Sequence, residues 1–183
     1  MEISVVGFGY IGAVIGAVLS SLGHKVNAID NNKACIADLN SGVCNVPEPL
    51  LQEMIASGVS SGLLIGSTSF DSVVDSDVIL VTVGTPLSDE FDADLSAIRN
   101  VFKRLSDIVR DGQIVMLKST VPPGVTRALA DEYFGDRENV FIGFSPERLA
   151  EGNAIHELKT LPIVVGGINR ASSKKCAEFW EKT

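Results

Sequence analysis

The feature that most constrains the fold is a short string at residues 7–12, G-F-G-Y-I-G, whose glycines have the spacing G-x-G-x-x-G. An apolar, strand-like stretch precedes it and a helix-like stretch of small apolar residues follows it, which is the setting of a dinucleotide-binding turn. In such a turn Gly7 permits the tight bend, Gly9 lets the backbone approach a pyrophosphate, and Gly12 lets the helix pack closely on the strand. The helix N-terminus presents amide groups and the positive end of its dipole to the phosphates. The string therefore predicts a strand, a phosphate-binding turn and a helix.

A carboxylate follows the second strand-like stretch, at Asp30. Dinucleotide-binding folds place an acid at this distance from the glycine turn, where it accepts hydrogen bonds from the adenosine ribose. A carboxylate there would repel a 2′-phosphate, so the two features together predict NAD rather than NADP. The alternative is that the glycines make only a tight turn and that Asp30 caps a helix.

Strand-like and helix-like stretches alternate along the rest of the chain. The apolar strands have no polar alternation, which is typical of strands buried on both faces of a parallel sheet. We therefore predict an α/β fold over residues 1–183: a doubly wound, Rossmann-type parallel sheet with helices on both faces. The predicted strands are 3–6, 25–29, 78–83, 114–117, 140–144 and 163–165, and the predicted helices are 11–22, 33–39, 50–56, 95–108, 126–134 and 171–181.

Composition excludes several classes of function. The formal net charge is −8 and Lys and Arg do not cluster, so neither nucleic acid nor an anionic membrane surface is an expected partner. No apolar run reaches the ~20 residues of a spanning helix, and the N-terminus does not read as a signal peptide, so we expect a soluble cytoplasmic protein. Cys35, Cys44 and Cys176 lack a CxxC spacing, which predicts reduced structural thiols, no disulfide framework and no metal site. The acidic stretch 89–94 is interpreted as a solvated loop.

Three loops at predicted strand ends carry residues suited to chemistry. The loop V-G-T-P at 83–86 could touch the nicotinamide ribose, and two prolines stiffen the loop K-S-T-V-P-P-G at 118–124, where Thr120 could present its hydroxyl. In the loop at 145–152, Glu147 and Glu151 are four residues apart and face the same side if the segment is helical. A buried carboxylate with a raised pKa is a plausible general base for an alcohol. The alternative is that Thr120 caps a helix and that Glu147, Arg148 and Glu151 form a surface ion-pair cluster.

Together these strings resemble the UDP-glucose/GDP-mannose dehydrogenase family of nucleotide-sugar 6-dehydrogenases. The resemblance covers residues 3 to about 167, and its most specific string is K-S-T-V-P-P-G. It rests on V-V-G-F-G-Y-I-G (5–12), L-N-x-G (39–42), E-P (48–49), V-G-T-P (83–86), K-S-T-V-P-P-G (118–124) and S-P-E-R-L-A-E-G (145–152).

The resemblance implies an oxidation of the 6-hydroxymethyl group of a UDP-sugar to a carboxylate, with two NAD reduced, for surface polysaccharide synthesis. Thr120 would help to hold a catalytic water, and Glu147 would act in acid–base work around a thioester step. Thr120, Glu147 and Glu151 are thus the candidate catalytic residues, and Glu147, Arg148 and Leu149 would line the sugar site. The NAD contacts implied are Gly7, Gly9, Tyr10, Ile11, Gly12, Asp30, Thr85, Thr120 and Glu151.

This sequence departs from the family pattern in informative ways. Many UDP-glucose enzymes have Phe where this chain has Arg148, and the Arg variant resembles the branch that oxidises UDP-N-acetylhexosamines such as UDP-N-acetylmannosamine. The family's nucleophilic cysteine lies in a downstream G-G-x-C segment that this sequence does not contain. We therefore expect a central helix to begin near residue 170, the C-terminal sugar-nucleotide domain to be absent, and this chain to bind NAD without turning over substrate. The full-length enzyme would be a homodimer.

Two other interpretations stay open from the residues alone. Rossmann dehydrogenases of the 6-phosphogluconate or 3-hydroxyacyl-CoA type share the glycine fingerprint, although they lack the K-S-T-V-P-P-G and S-P-E-R strings. A non-catalytic NAD-binding module would explain the missing nucleophile, although it would not need the substrate-side strings.

Overall fold

A computed structural model describes residues 1–87, 92–135 and 137–183, which form one sheet with helices on both of its faces. The strands are β1 (Glu2–Val6), β2 (Lys25–Ile29), β3 (Leu64–Ser67), β4 (Val78–Val81), β5 (Ile114–Leu117), β6 (Phe141–Phe144) and β7 (Gly166–Gly167). The helices are α1 (Tyr10–Ser21), α2 (Lys33–Asn40), α3 (Leu51–Ser60), α4 (Ser96–Ile108), α5 (Val125–Tyr133), α6 (Ala154–Thr160) and α7 (Arg170–Trp180), with a 3-10 turn at Asp71–Asp75.

The strand order is β3-β2-β1-β4-β5-β6-β7, and the first six strands are parallel. The chain runs outward from β1 to β3 and then returns to place β4 on the other side of β1. This reversal makes the carboxyl ends of β1 and β4 the position where sheets of this type bind ligands. The doubly wound Rossmann-type architecture is confirmed.

The two faces of the sheet are covered by different helices. Alternate side chains of the strands point to opposite faces, so Val5 belongs to the core cluster that includes α1, α2, α3, α6 and α7, whereas Val6 belongs to the cluster that includes α4 and α5. Nearly all residues of β1, β2, β4 and β5 are buried, which explains their continuous apolar sequence.

The last strand is the one departure from the predicted parallel sheet among the described residues. The strand expected at 163–165 is instead β7, Gly166–Gly167, and it pairs antiparallel with β6. The strand β3 was not predicted, because Gly66 interrupts its apolar run. A Cβ at Gly66 would lie 2.9 Å from a methyl carbon of Leu39, so this glycine marks the close approach of α2 rather than a turn.

Helix α6 and the 3-10 turn were also not predicted, since both are short and lack a clear apolar period. Part of the acidic stretch interpreted as a solvated loop lies outside the described residues, which omit 88–91. Among the residues that are described, no helix is long and apolar enough to cross a bilayer, and no group of three or more His, Cys, Asp or Glu side chains could hold a metal ion.

Candidate functional site

The turn between β1 and α1 has the geometry of a phosphate-binding loop. Gly7 has φ +95°, and its amide donates to the Ile29 carbonyl at 2.8 Å, so the bend is tied to β2. The first hydrogen bond of α1 runs from the Ala13 amide to the Gly9 carbonyl at 2.9 Å. The amide groups of Tyr10, Ile11 and Gly12 precede it and have no carbonyl within the helix to donate to. They are therefore positioned to bind an anion at the positive end of the helix dipole.

Close packing around this turn explains two of its glycines. A Cβ added at Gly7 would lie 2.8 Å from the Val83 amide nitrogen, and one added at Gly12 would lie 2.0 Å from the Gly7 carbonyl oxygen. A Cβ added at Gly9 would have no atom of the described residues within 4 Å, so open space lies over the backbone there. Gly7 and Gly12 thus serve the fold, while Gly9 leaves room for a ligand.

Asp30 lies at the end of β2, beside the turn. Its Oδ2 accepts a hydrogen bond from the Phe8 amide at 2.7 Å, and its Oδ1 accepts one from the Asn32 amide at 2.8 Å. Each carboxylate oxygen retains a lone pair for a ribose hydroxyl. The alternative role as a helix cap is wrong, because Asn32 caps α2 by accepting from the amides of Ala34 and Cys35.

A cavity of about 520 Å³ opens between the ends of β1, β2 and β4 and the helix α4. One wall is a cation–π pair in which the Arg104 guanidinium lies 4.6 Å from the centroid of the Phe70 ring. Sequence reasoning missed both residues, because neither belongs to a recognised string. The lining residues are Val6, Gly7, Gly9, Ile29, Asp30, Asn31, Phe70, Thr82, Val83, Gly84, Ser96, Ala97, Asn100, Val101 and Arg104.

Hydrogen bonds join the loops that leave neighbouring strands. The Thr82 hydroxyl donates to the Gly7 carbonyl at 2.6 Å, which joins the loop after β4 to the glycine turn. The Ser119 hydroxyl donates to the Val83 carbonyl at 2.6 Å, and the Thr85 hydroxyl donates to the Thr120 carbonyl at 2.8 Å. The structure thus brings Thr85 and Thr120 together, with Thr120 exposed at the strand edge. Thr120 does not cap α5, whose N-cap is Gly124.

Glu147 pairs with a lysine that was quoted in the sequence strings without a role. The Lys118 ammonium lies 3.2 Å from the Glu147 carboxylate, and the Lys118 side chain is only 3% exposed. Burial lowers the pKa of Lys118 and the nearby Glu147 opposes that effect. A charged residue directly after an all-apolar strand is the sequence signal that could have drawn attention to Lys118.

Glu147 and Glu151 would face the same side only on a helix, and that condition is not met, because residues 145–150 are not helical and a turn follows them. Nor do Glu147, Arg148 and Glu151 form the alternative surface ion-pair cluster, since Glu147 pairs with Lys118. The Arg148 guanidinium donates to the Pro162 carbonyl, and the side chain is exposed. Leu149 is half-buried and packs on the α1 side of the core.

Tyr10 is directed away from the phosphate turn toward Glu48. Its hydroxyl donates to Glu48 Oε2 and accepts from the Gly152 amide at 2.7 Å. Glu48 is 7% exposed and also accepts from the amides of Gly152 at 2.8 Å and Ile155 at 3.1 Å. This network ties the start of α1 to the end of the loop that carries Glu147 and Glu151. Any cofactor contact by Tyr10 is therefore made by its backbone or its ring.

The Tyr10–Glu48 network also changes how both groups ionise. Burial would raise the pKa of Glu48, but hydrogen bonds from Tyr10, Ile155 and Gly152 outweigh it and hold that pKa below its usual value. Burial and the Glu48 carboxylate raise the pKa of Tyr10, with a smaller contribution from Glu151. Glu151 is itself exposed beside this network.

The three cysteines occupy the predicted elements: Cys35 in α2, Cys44 in a loop and Cys176 in α7. All three are free thiols. Burial raises the pKa of Cys176 to about 11, which suppresses its thiolate form.

The residues at this edge of the sheet fit NAD. The amides at the start of α1 border the open space over Gly9, which suits the pyrophosphate of NAD. Asp30 lines the neighbouring cavity, where it suits the adenosine ribose, and the Phe70 ring in the cavity wall suits a base.

Comparisons with known proteins agree with this geometry. Residues 1–183 match the family model described as UDP-glucose/GDP-mannose dehydrogenase family, NAD binding domain. The chain is 34% identical to UDP-glucose 6-dehydrogenase of Bacillus subtilis over 161 residues, which cover 86% of this chain and 37% of that protein.

Two solved structures are similar over the whole chain. UDP-N-acetyl-D-mannosamine dehydrogenase from Pyrococcus horikoshii has a TM-score of 0.94 at 28% identity, and a ternary complex of GDP-mannose dehydrogenase from Pseudomonas aeruginosa has 0.91 at 32% identity. In each case 100% of this chain aligns with 44% of the other. The chain therefore spans less than half the length of the relatives it matches.

Proposed function

Since this chain belongs to the UDP-glucose/GDP-mannose dehydrogenase family, we propose that it supplies the NAD-binding part of a nucleotide-sugar 6-dehydrogenase. The observation that carries the proposal lies at the carboxyl ends of the strands. There, hydrogen bonds and an ion pair connect the NAD-binding turn with the loops that bear Thr120 and Glu147. The match over residues 1–183 favours this function over a 6-phosphogluconate or 3-hydroxyacyl-CoA type of dehydrogenase. A non-catalytic module would not need the substrate-side loops.

The cofactor site divides into parts with separate tasks. The amides of Tyr10, Ile11 and Gly12 bind the pyrophosphate, Asp30 binds the adenosine ribose hydroxyls, and the wall of Phe70 and Arg104 borders the base. NAD supplies the hydride acceptor when bound. Its nicotinamide end would lie near Thr85, Thr120 and Glu151, beyond the ends of β4, β5 and β6.

On the substrate side, Glu147 carries a proton to or from the reacting oxygen, and Thr120 holds a water by its hydroxyl. Glu147, Arg148 and Leu149 border the sugar, which we propose to be a UDP-sugar of the UDP-N-acetylmannosamine or UDP-glucose type. The product would be a uronic acid for surface polysaccharide synthesis. We place the enzyme in the cytoplasm, where free thiols such as the three described here stay reduced. The complete enzyme would act as a homodimer.

The cofactor part of the proposal is tested by thermal unfolding of this chain with NAD, NADP and nucleotide sugars. A ligand that binds only the folded state raises the melting temperature. At a free ligand concentration of 100 Kd, it stabilises the folded state by about 2.7 kcal/mol. We expect NAD to stabilise the chain, and NADP and the sugars to have little effect. Equal stabilisation by NAD and NADP would contradict the role of Asp30.

The catalytic part is tested by a chimera that joins residues 1–183 to the C-terminal part of the Pyrococcus horikoshii enzyme, whose NAD-binding part has nearly the same fold. We expect NADH to form when UDP-N-acetylmannosamine is added. The same chimera with Glu147→Gln is the matched control and should bind NAD but form NADH much more slowly. A folded chimera that binds NAD and forms no NADH with any nucleotide sugar would count against the function.

A further inference from the structure

Lys118 is a buried cation whose polar contacts through its ammonium lead to one loop. Its ammonium lies 3.3 Å from the Ser145 carbonyl oxygen, 3.4 Å from the Ser145 hydroxyl and 3.2 Å from Glu147 Oε2. These three acceptors match the three N–H donors of an ammonium group. The ring of Trp180 covers the ammonium at 5.0 Å, from helix α7. A lysine that is 3% exposed gives up its hydration, so these contacts must replace it.

Glu147 is held from two sides. Its Oε1 accepts hydrogen bonds from the amides of Arg148 at 2.8 Å and Leu149 at 3.1 Å. Its Oε2 is buried and, within the part of the chain that the structure describes, faces Lys118 without a further hydrogen-bond partner. The carboxylate can therefore neither rotate freely nor exchange its charge partner for water.

We propose that Lys118 is a positioning residue that keeps Glu147 in its carboxylate form and fixes its orientation at the substrate edge. The inference rests on the proposed function, in which Glu147 transfers a proton. Because Lys118 directly follows β5 and Glu147 follows β6, the ion pair also fixes the spacing between the Thr120 loop and the Glu147 loop.

The other charged groups around Glu147 are already engaged. Arg148, on the same loop, directs its guanidinium to the Pro162 carbonyl. Glu157, on α6, accepts from the Ala150 amide at 2.7 Å and from the Asn153 side chain at 3.1 Å. Among the described residues, Lys118 is the only cation in an ion pair with Glu147. Its removal would leave a largely buried carboxylate with no cation beside it, which favours the protonated form.

The direct test is a titration of the Glu147 carboxyl carbon by NMR, with glutamate labelled with carbon-13 and Glu147→Gln used to assign the signal. We expect Lys118→Met to move the Glu147 titration to higher pH, and Lys118→Arg to move it much less. Lys25→Met removes an exposed lysine that pairs with Glu2 and should leave the Glu147 signal unchanged. A folded Lys118→Met variant with the wild-type midpoint would overturn the proposal.

A reciprocal measurement covers the case in which Lys118→Met does not fold. In Glu147→Gln the side chain keeps its size, so we expect the Lys118 ammonium, followed by nitrogen-15 NMR, to lose its proton at lower pH than in the wild type. An unchanged Lys118 titration in that variant would equally overturn the proposal.

The chimera separates this inference from the proposed function. Lys118→Met should move the acidic limb of the pH profile of kcat to higher pH without changing the KM for NAD. Lys118→Arg should leave that limb near its wild-type position. A chimera without NADH formation would refute the function and leave the titration result standing. An active chimera whose acidic limb is unmoved by Lys118→Met would refute the positioning role.

Discussion

The fingerprint glycines differ in what an added methyl group would meet, and this difference should separate folding from cofactor binding. A Cβ at Gly12 would lie 2.0 Å from the Gly7 carbonyl oxygen and 3.0 Å from the Gly7 carbonyl carbon. A Cβ at Gly9 would have no described atom within 4 Å, and φ is −76° there, which alanine adopts. We expect Gly12→Ala to damage the fold and Gly9→Ala to spare it.

The magnitudes follow from these distances. Real Cβ atoms essentially never approach closer than 3.0 Å, so Gly12→Ala requires the start of α1 to move away from β1. With backbone on both sides of the contact, we expect a loss of about 3 kcal/mol, or roughly 6–12 °C in Tm for a chain of this size. Gly9→Ala should change the free energy of unfolding by less than about 0.5 kcal/mol. Its methyl group would stand where the pyrophosphate passes, so NAD affinity should fall by about tenfold or more, equivalent to ~1.4 kcal/mol.

Thermal unfolding and calorimetric titration with NAD measure the two effects on the same samples. We expect Gly9→Ala to keep the wild-type Tm but bind NAD more weakly, and Gly12→Ala to have a lower Tm. If Gly9→Ala binds NAD as the wild type does, the backbone does not approach the phosphates at that position. An unchanged Tm for Gly12→Ala would refute the packing argument.

Other predictions concern single groups. Asp30→Ala should weaken NAD by about tenfold and raise the ratio of NADP to NAD affinity in equilibrium titrations, and an unchanged ratio would contradict its role. Glu48→Gln should cost about 1–3 kcal/mol at neutral pH, measured by urea unfolding. Because the folded pKa of Glu48 lies below its usual 4.5, its contribution is full above about pH 5 and disappears as the pH falls through the folded value, so wild type and variant should converge in acid. Cys176 should resist iodoacetamide at about pH 8 while Cys44 reacts, and equal labelling of these two thiols in the folded chain would show that Cys176 is not buried.

The sequence was sufficient where a residue type has one strong physical reason to occur. Glycines spaced for a phosphate turn, a carboxylate after the second strand and strands without polar alternation led to the correct architecture and to the position of Asp30. These features act locally or through simple burial, so they can be read without knowing which segments meet.

The rest depended on tertiary contacts that no local pattern encodes. A shared face for Glu147 and Glu151 required a helix, but backbone hydrogen bonds and Lys118 hold Glu147 in a non-helical loop. The hydroxyl of Tyr10 is bound to Glu48, 38 residues away, so only the backbone or ring of Tyr10 is left for the NAD contact that the sequence predicts. Phe70 and Arg104 meet at the cavity only because the sheet order brings α4 beside the segment that follows β3.

The hydrogen bonds that join the loops after β1, β4 and β5 make one further property measurable. A substitution at Thr82 removes a hydrogen bond to Gly7, and one at Ser119 removes a hydrogen bond to Val83. The effect of a substitution in one loop on stability therefore depends on the sequence of the neighbouring loop. Double-mutant cycles between adjacent loops should therefore show coupling energies of about 0.5–3 kcal/mol, unlike cycles between distant sites. We therefore expect substitutions in adjoining loops to occur together among related sequences more often than substitutions in distant loops.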